Sequence, residues 1–129
     1  MHKVFVYGSL LSGMGNHRLL AESSFVGISH SPTGFGLIDL GYFPGAIRAN
    51  DDKRIIGEVY EVDDVTLQRL DRLEGYNANR PESGLYNRIE IMTKFGSAFM
   101  YIYNHGTIRT TNDVTDGDWK AYYNNKRSK

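Results

Sequence analysis

The chain has 129 residues, with fifteen basic and fifteen acidic side chains, four histidines and no cysteine. That length suits one domain with its own core, and the missing cysteine excludes a disulfide framework, a thiolate nucleophile and Cys-ligated zinc. Balanced charge lacks the electropositive excess that accompanies nucleic-acid or anionic-membrane partners, so a small-molecule partner in a reducing cytoplasm is expected.

The first apolar run, Val4 to Tyr7, is too short for a signal peptide or a membrane span, and Gly8 and Ser9 interrupt it at once. Its β-rich residues predict a buried strand that enters the loop GSLLSGMGN, with Asn16 as the cap of a short helix over 17–23. The stretch from Ser24 to Asp51 predicts two or three short strands, punctuated by turn signals at Ser31-Pro32, Gly41 and Pro44-Gly45. RIIGEVYEV, Arg54 to Val62, predicts a strong strand, and Asp63 or Asp64 caps a helix that ends at Gly75. Within that helix Val65 or Thr66, Leu70 and Leu73 recur at helical spacing and predict the face laid on a sheet, with Gln68, Arg69 and Arg72 opposite. YNRIEIMT and SAFMYIYN predict a hairpin joined by Lys94-Phe95-Gly96. Beyond Asn104, DVTDGDWKAYY supplies an Asp-Gly turn and one helical turn packing Trp119, before the polar tail NNKRSK. The expectation is a single α+β domain over 1–129, a small mixed β-barrel of about six strands with flanking short helices, residues 119–129 forming a C-terminal extension with a flexible tail.

Chemistry has few places to sit. The loop from Tyr7 to Gly13 follows a strand, so its backbone N–H groups can converge on an anion such as a carboxylate; its plainer reading is a tight β-to-α turn. It has neither the Lys and Ser/Thr of a phosphate-binding P-loop nor a G-x-G-x-x-G opening a helix. Ser9 and Ser12 are nucleophiles by type only, and histidines at 2, 17, 30 and 105 offer no triad or metal spacing, so no metal and no cofactor is implied. Asp71 and Glu74 share a helix face, whereas the two acids of a glycosidase flank a sugar from opposite sides; Asp71 reads as a solvated or capping acid, or one paired with Arg72 or Arg88. Tyr60, Tyr86, Tyr101 and Tyr103 fall in strands, their hydroxyls reaching an edge or a pocket. Glu74 closes a helix in LDRLEGY, where an acid is unfavourable by a few tenths to about 1 kcal/mol, so the position asks for a second reason.

Taken together, VFVYGSL, GEVYEV, LDRLEGY, YNR and MYIYN with DGDW resemble the γ-glutamylcyclotransferase-like family, the avirulence-induced-gene-like group, from about Lys3 to Tyr122. The resemblance implies a cavity mouth built by the YGSL loop, Tyr7, Gly8, Ser9 and Leu10, and by Glu74. It also implies attack of a γ-glutamyl amide's own α-amine on its γ-carbonyl, releasing an amine and 5-oxoproline, with Glu74 as general acid/base. Tyr86, in the family-like Y-x-R pattern, would shape the cavity, and Arg88 would support the sheet or orient an acid.

Such a reaction holds nucleophile and electrophile in one molecule, and well-oriented intramolecular reactions reach effective molarities of roughly 10⁵ to 10⁸ M. What remains is proton transfer. A carboxylate of ordinary pKa about 4.3 is poorly matched to an amine near 8, and burial together with the helix C-terminus would narrow the gap. Gly8 would let the backbone approach a guest closely. The expected partner is a small γ-glutamyl substrate, not nucleic acid or membrane, and the expected state is a monomer or weak homodimer. Two other readings stay open: a non-catalytic small-molecule-binding or interaction module on the same fold, and a nucleic-acid accessory protein using the KRSK tail.

Overall fold

The computed structural model of the chain describes residues 1–106 and 112–127. Val4, Phe5 and Val6 are almost wholly excluded from solvent, because their strand, β1 (His2–Val6), lies in the middle of a five-stranded sheet. A strand covered on both faces carries an unbroken apolar run instead of alternation. β1 pairs antiparallel with β5 (Ile56–Val62) and parallel with β7 (Gly96–Tyr103). β2 (Ser24–His30) and β6 (Tyr86–Thr93) form the two edges. A second sheet has the order β4-β3-β8, from β3 (Phe35–Asp39), β4 (Pro44–Arg48) and β8 (Asp113–Val114).

The α+β class is as the sequence predicts, and the sheets curl toward one another. They do not close into a barrel: among the described residues the ladders form two sheets with eight strands in place of about six. The extra strands come from splitting the 24–48 region into three and from the short β8. Pro44-Gly45, expected as a turn, instead opens β4. Proline is tolerated at the first position of an edge strand, and Gly45 packs against Tyr103, where an added Cβ would stand 2.8 Å from the Tyr103 Cβ.

Asp63 accepts the Thr66 N–H at 2.8 Å and so starts α1 (Asp64–Glu74). Gly75 ends it in the left-handed region (φ 71°), and Tyr76 N–H donates back to the Asp71 carbonyl at 2.8 Å. The buried face differs from the expected one: Leu67 and Leu70 are buried, whereas Val65 and Leu73 stay exposed. Asp71 ties the last turn to the large sheet. It accepts Arg88 of β6 and the Tyr101 hydroxyl of β7, each at 2.7 Å, so Arg88 is its partner and Arg72 is exposed. The Arg88 guanidinium also lies over the rings of Tyr76 and Phe99.

The helix expected over 17–23 is a single 3₁₀ turn, His17–Leu20, and the Asn16 side chain does not cap it but donates to the Ser9 hydroxyl at 3.0 Å. The hairpin is as expected, with Thr93 paired to Gly96 across Lys94-Phe95. At the C-terminal end α2 (Trp119–Arg127) runs well beyond one turn, through part of the polar tail. Trp119 is fully buried and packs its ring against Tyr122 and Tyr123, which seats the helix. Ser128 and Lys129 of the KRSK tail lie outside the described residues. No described helix is long and apolar enough to cross a membrane.

Between α1 and β6 the chain doubles back so that Gly84 rests directly on Gly75, where a Cβ would overlap the Gly75 carbonyl. Gly84→Ala therefore has to separate two backbone segments. The expected outcome is a loss of at least about 2 kcal/mol of stability, well above the usual surface substitution, read as a lowered urea midpoint.

Candidate active site

The β1–3₁₀ loop is folded by its own carbonyls. Leu11 N–H donates to Gly8 O (3.0 Å), Asn16 N–H to Ser9 O (2.8 Å) and His17 Nδ1 to Leu10 O (2.9 Å). Among the described residues no hydrogen bond uses the N–H of Gly8, Ser9 or Leu10. Because a trans peptide points its N–H opposite to its C=O, engaging the Gly8 and Ser9 carbonyls inside the loop turns the N–H groups of Ser9 and Leu10 outward. All three residues line one cleft of about 580 Å³.

A cluster that pattern reading missed anchors the loop from behind. Glu58 of β5 is buried, and its carboxylate accepts the Ser12 N–H and hydroxyl (2.8 Å each) and the Tyr60 hydroxyl (2.9 Å). Lys120 of α2 reaches both Ser12 Oγ (2.8 Å) and Glu58 (3.4 Å). Burial alone would raise the Glu58 pKa, but the Ser12, Tyr60 and Lys120 contacts outweigh it and hold the carboxyl below its ordinary value. Ser12 is thus a structural clasp, not a nucleophile. Its only advance signal is an acid set between Gly57 and Val59 in a buried strand.

The cleft brings together the six residues that the family resemblance assigned to it, Tyr7, Gly8, Ser9, Leu10, Glu74 and Tyr86; Ser12, Asp71 and Arg88 lie outside its lining. Tyrosines surround the acid. The Glu74 charge contributes, after burial, to raising the hydroxyl pKa values of Tyr7, Tyr86 and Tyr101, so its carboxyl lies within electrostatic reach of all three. Yet each hydroxyl proton goes elsewhere: Tyr7 to the Tyr101 carbonyl (2.6 Å), Tyr86 to the Pro44 carbonyl (2.7 Å) and Tyr101 to Asp71 (2.7 Å). Tyr7 and Tyr86 therefore form walls of the cleft and hold no proton for a guest.

Glu74 is half-buried and lines the cleft, and among the described residues nothing donates a hydrogen bond to it. Burial without a compensating donor pushes its pKa up to about 7. The negative end of α1 acts in the same direction. The two glutamates are thus driven apart, Glu58 down by its partners and Glu74 up by burial without any.

Gly8 has a packing reason besides the expected one. An added Cβ would stand 2.7 Å from the Pro44 ring, so its place is fixed by protein packing as well as by any guest. Ser9 Oγ receives the Asn16 amide and keeps its own proton to donate. Sequence patterning also missed the outer lining, which includes Tyr42, Phe43, Leu73, Leu85 and, from α2, Tyr123 and Asn124.

Comparison with known proteins agrees with this geometry. Residues 4–121 match the family described as Gamma-glutamyl cyclotransferase, AIG2-like. A Vibrio cholerae protein that carries the name gamma-glutamylcyclotransferase provisionally is 39% identical over 118 residues, 92% of this chain and 95% of that one. The gamma-L-glutamyl-butirosin B gamma-glutamyl cyclotransferase of Niallia circulans is 33% identical over 127 residues, 95% of this chain and 78% of that one. The crystal structure of an uncharacterized protein from Pyrococcus horikoshii superposes with a TM-score of 0.81 at 26% identity, covering 99% of this chain and 98% of that one. With a tyrosine-walled cleft, an outward-facing amide loop and a match spanning nearly its whole length, the chain belongs to the AIG2-like gamma-glutamyl cyclotransferase family.

Proposed function

We propose that the chain is a γ-glutamylcyclotransferase-type acyltransferase that cleaves a γ-glutamyl amide into 5-oxoproline and an amine, with Glu74 relaying the proton. The observation that carries this reading is the Glu74 carboxyl, half-buried in the cleft, without a donor and with its pKa raised to about 7. A relative named for acting on γ-L-glutamyl-butirosin B supports the reaction type.

The substrate's α-carboxylate needs donors. Glu74 is the single charged side chain among the described residues that line the cleft, so the donors are neutral ones, the N–H groups of Gly8, Ser9 and Leu10 with the Ser9 hydroxyl beside them. Held in that way, the glutamyl chain folds back on itself and its α-ammonium meets Glu74. The carboxylate takes one proton from the ammonium, and the freed nitrogen lone pair forms a bond to the γ-carbonyl carbon. As the tetrahedral intermediate collapses, the bond to the leaving nitrogen breaks and Glu74 returns the proton to that nitrogen; the ring nitrogen then gives up its second proton by the same relay, leaving a lactam N–H and an amine released as its ammonium. Atoms and charge balance with no further reactant. An ordinary glutamate would face an amine near 8 across roughly 3.5 units; at about 7 the gap shrinks to about 1 unit, removing on the order of 3 kcal/mol of mismatch.

The direct test is release of 5-oxoproline from γ-glutamyl amides, followed by mass spectrometry. Glu74→Gln is expected to fold and to lose about 10² to 10⁴ of the rate; equal turnover by variant and parent would return the chain to the binding-module reading. In the parent, kcat/KM is expected to rise with pH through about 7 as Glu74 becomes the base form, and this limb is expected to vanish in Glu74→Gln.

The raised pKa has a signature that needs no substrate. Glu74 titrates at about 7 in the folded chain against 4.5 when unperturbed, so the folded state binds this proton more tightly. The resulting stabilisation is complete below about pH 4.5 and is lost as pH rises through 7, leaving the ionised form penalised by about 3 kcal/mol. Glu74→Gln cannot ionise. Its stability relative to the parent is expected to increase between pH 4.5 and pH 8 by up to that amount, measured by urea unfolding at each pH. A pH-independent difference would place the carboxyl in open solvent.

A further inference from the structure

The mouth of the cleft is apolar, and this bears on which amine leaves. Tyr42 and Phe43 from the β3–β4 turn, Leu73 from the end of α1 and Leu85 from the approach to β6 all line the cleft and are exposed, Tyr42 to 86%. Four exposed apolar side chains from three separate segments converge on one opening. Such a rim gains stability when something covers it, and isolated surface residues do not explain the convergence. Tyr123 of α2 extends the same lining, and it falls outside the residues matched by the family model, so this part of the wall is supplied by the chain's own C-terminal helix.

The turn that presents Tyr42 and Phe43 is held in place. Gly41 N–H donates to Asp39 (2.7 Å), Leu40 N–H to the Phe43 carbonyl (3.0 Å), and Lys126 of α2 pairs with Asp39 (2.8 Å). The charges beside the rim thus neutralise each other and are not offered to a guest. Within the cleft Glu74 is the single charged group among the described lining residues, and the reaction already uses it.

Resting on the cyclotransferase reading above, we propose that the leaving group is an amine whose side group is uncharged and apolar, an arylalkyl- or branched-alkylamine, with that side group on the Tyr42, Phe43, Leu73 and Leu85 rim. An amino acid as leaving group would bring a second carboxylate into a cleft where Glu74 is acidic and no described lining side chain is basic. A polyamine or lysine would bring a distal ammonium onto apolar side chains with no acid to meet it. Either charge loses hydration without a partner. A cleft of about 580 Å³ leaves ample room beyond a γ-glutamyl head, since pockets of roughly 300 to 1,000 Å³ hold drug-sized ligands.

The test compares γ-glutamyl-phenethylamide, γ-glutamyl-alanine and γ-glutamyl-putrescine by 5-oxoproline release. The expected result is a kcat/KM for the phenethylamide about tenfold or more above both others, as covering an aromatic side group predicts. Equal or higher values for the alanine or putrescine conjugate would overturn the proposal. Tyr42→Ala, at a position exposed enough to leave folding intact, is expected to narrow that preference through KM with kcat little changed; an unaltered preference counts against the rim. Absence of 5-oxoproline from all three amides sinks the reaction assignment, and calorimetric binding of the same amides to Glu74→Gln then decides the rim by itself. Tighter binding of the phenethylamide retains it, and indiscriminate or absent binding overturns it.

Discussion

Two tyrosine hydroxyls stitch the sheets together, and the site depends on where their protons go. Tyr7, just past β1, donates to the β7 backbone and accepts the Ala46 N–H of β4 at 3.2 Å; Tyr86 of β6 donates to Pro44 of β4. The Ala46–Tyr7 and Tyr86–Pro44 bonds run between the five-stranded sheet and the three-stranded one, while the Tyr7 proton stays within the larger sheet. Buried hydroxyls must find partners, and here both protons go to main-chain carbonyls. The carboxyl that projects among these rings is left with aromatic edges and no donor. Burial in this tyrosine-lined cleft raises the pKa of Glu74, and the hydroxyls that could have offset it are already committed to other acceptors.

The rest of the site is built by contrast. Asp71, three residues before Glu74 on the same helix, is saturated by Arg88 and Tyr101. Glu58 is saturated by Ser12, Tyr60 and Lys120. Both are structural acids: one fixes the end of α1 against the sheet, the other fixes the loop that lines the cleft. On the proposed reading, the contacts of these two acids would preorganise Glu74 and the loop amides, which are themselves unengaged.

Much of this was legible in the sequence, for identifiable reasons. The Asp63 cap, the Gly75 stop and the Lys94-Phe95 hairpin are written in local backbone preferences, and local rules recover them. The family resemblance carried by YGSL and LDRLEGY implied a shared cavity, and Tyr7 to Leu10 and Glu74 do line one cleft. What escaped depends on contacts between distant segments. Pro44-Gly45 looks like a turn until Tyr103 and the sheet edge are in place, and Leu73 looks like core until the cleft opens beside it. Glu58 and Lys120 lie 62 residues apart, and no periodicity links them. Barrel closure failed as an expectation because short strands signal curvature and say nothing about whether the last ladder forms.

The Gly8–Pro44 contact carries one more implication. With no side chain between them, the main-chain cradle and the first residue of β4 are in van der Waals contact, and β4 follows directly from the turn bearing Tyr42 and Phe43. Entrance and loop are consequently coupled through one packing contact: a shift of the β3–β4 main chain would press on Gly8, whereas exchange of the Tyr42 or Phe43 side chain would leave that contact in place.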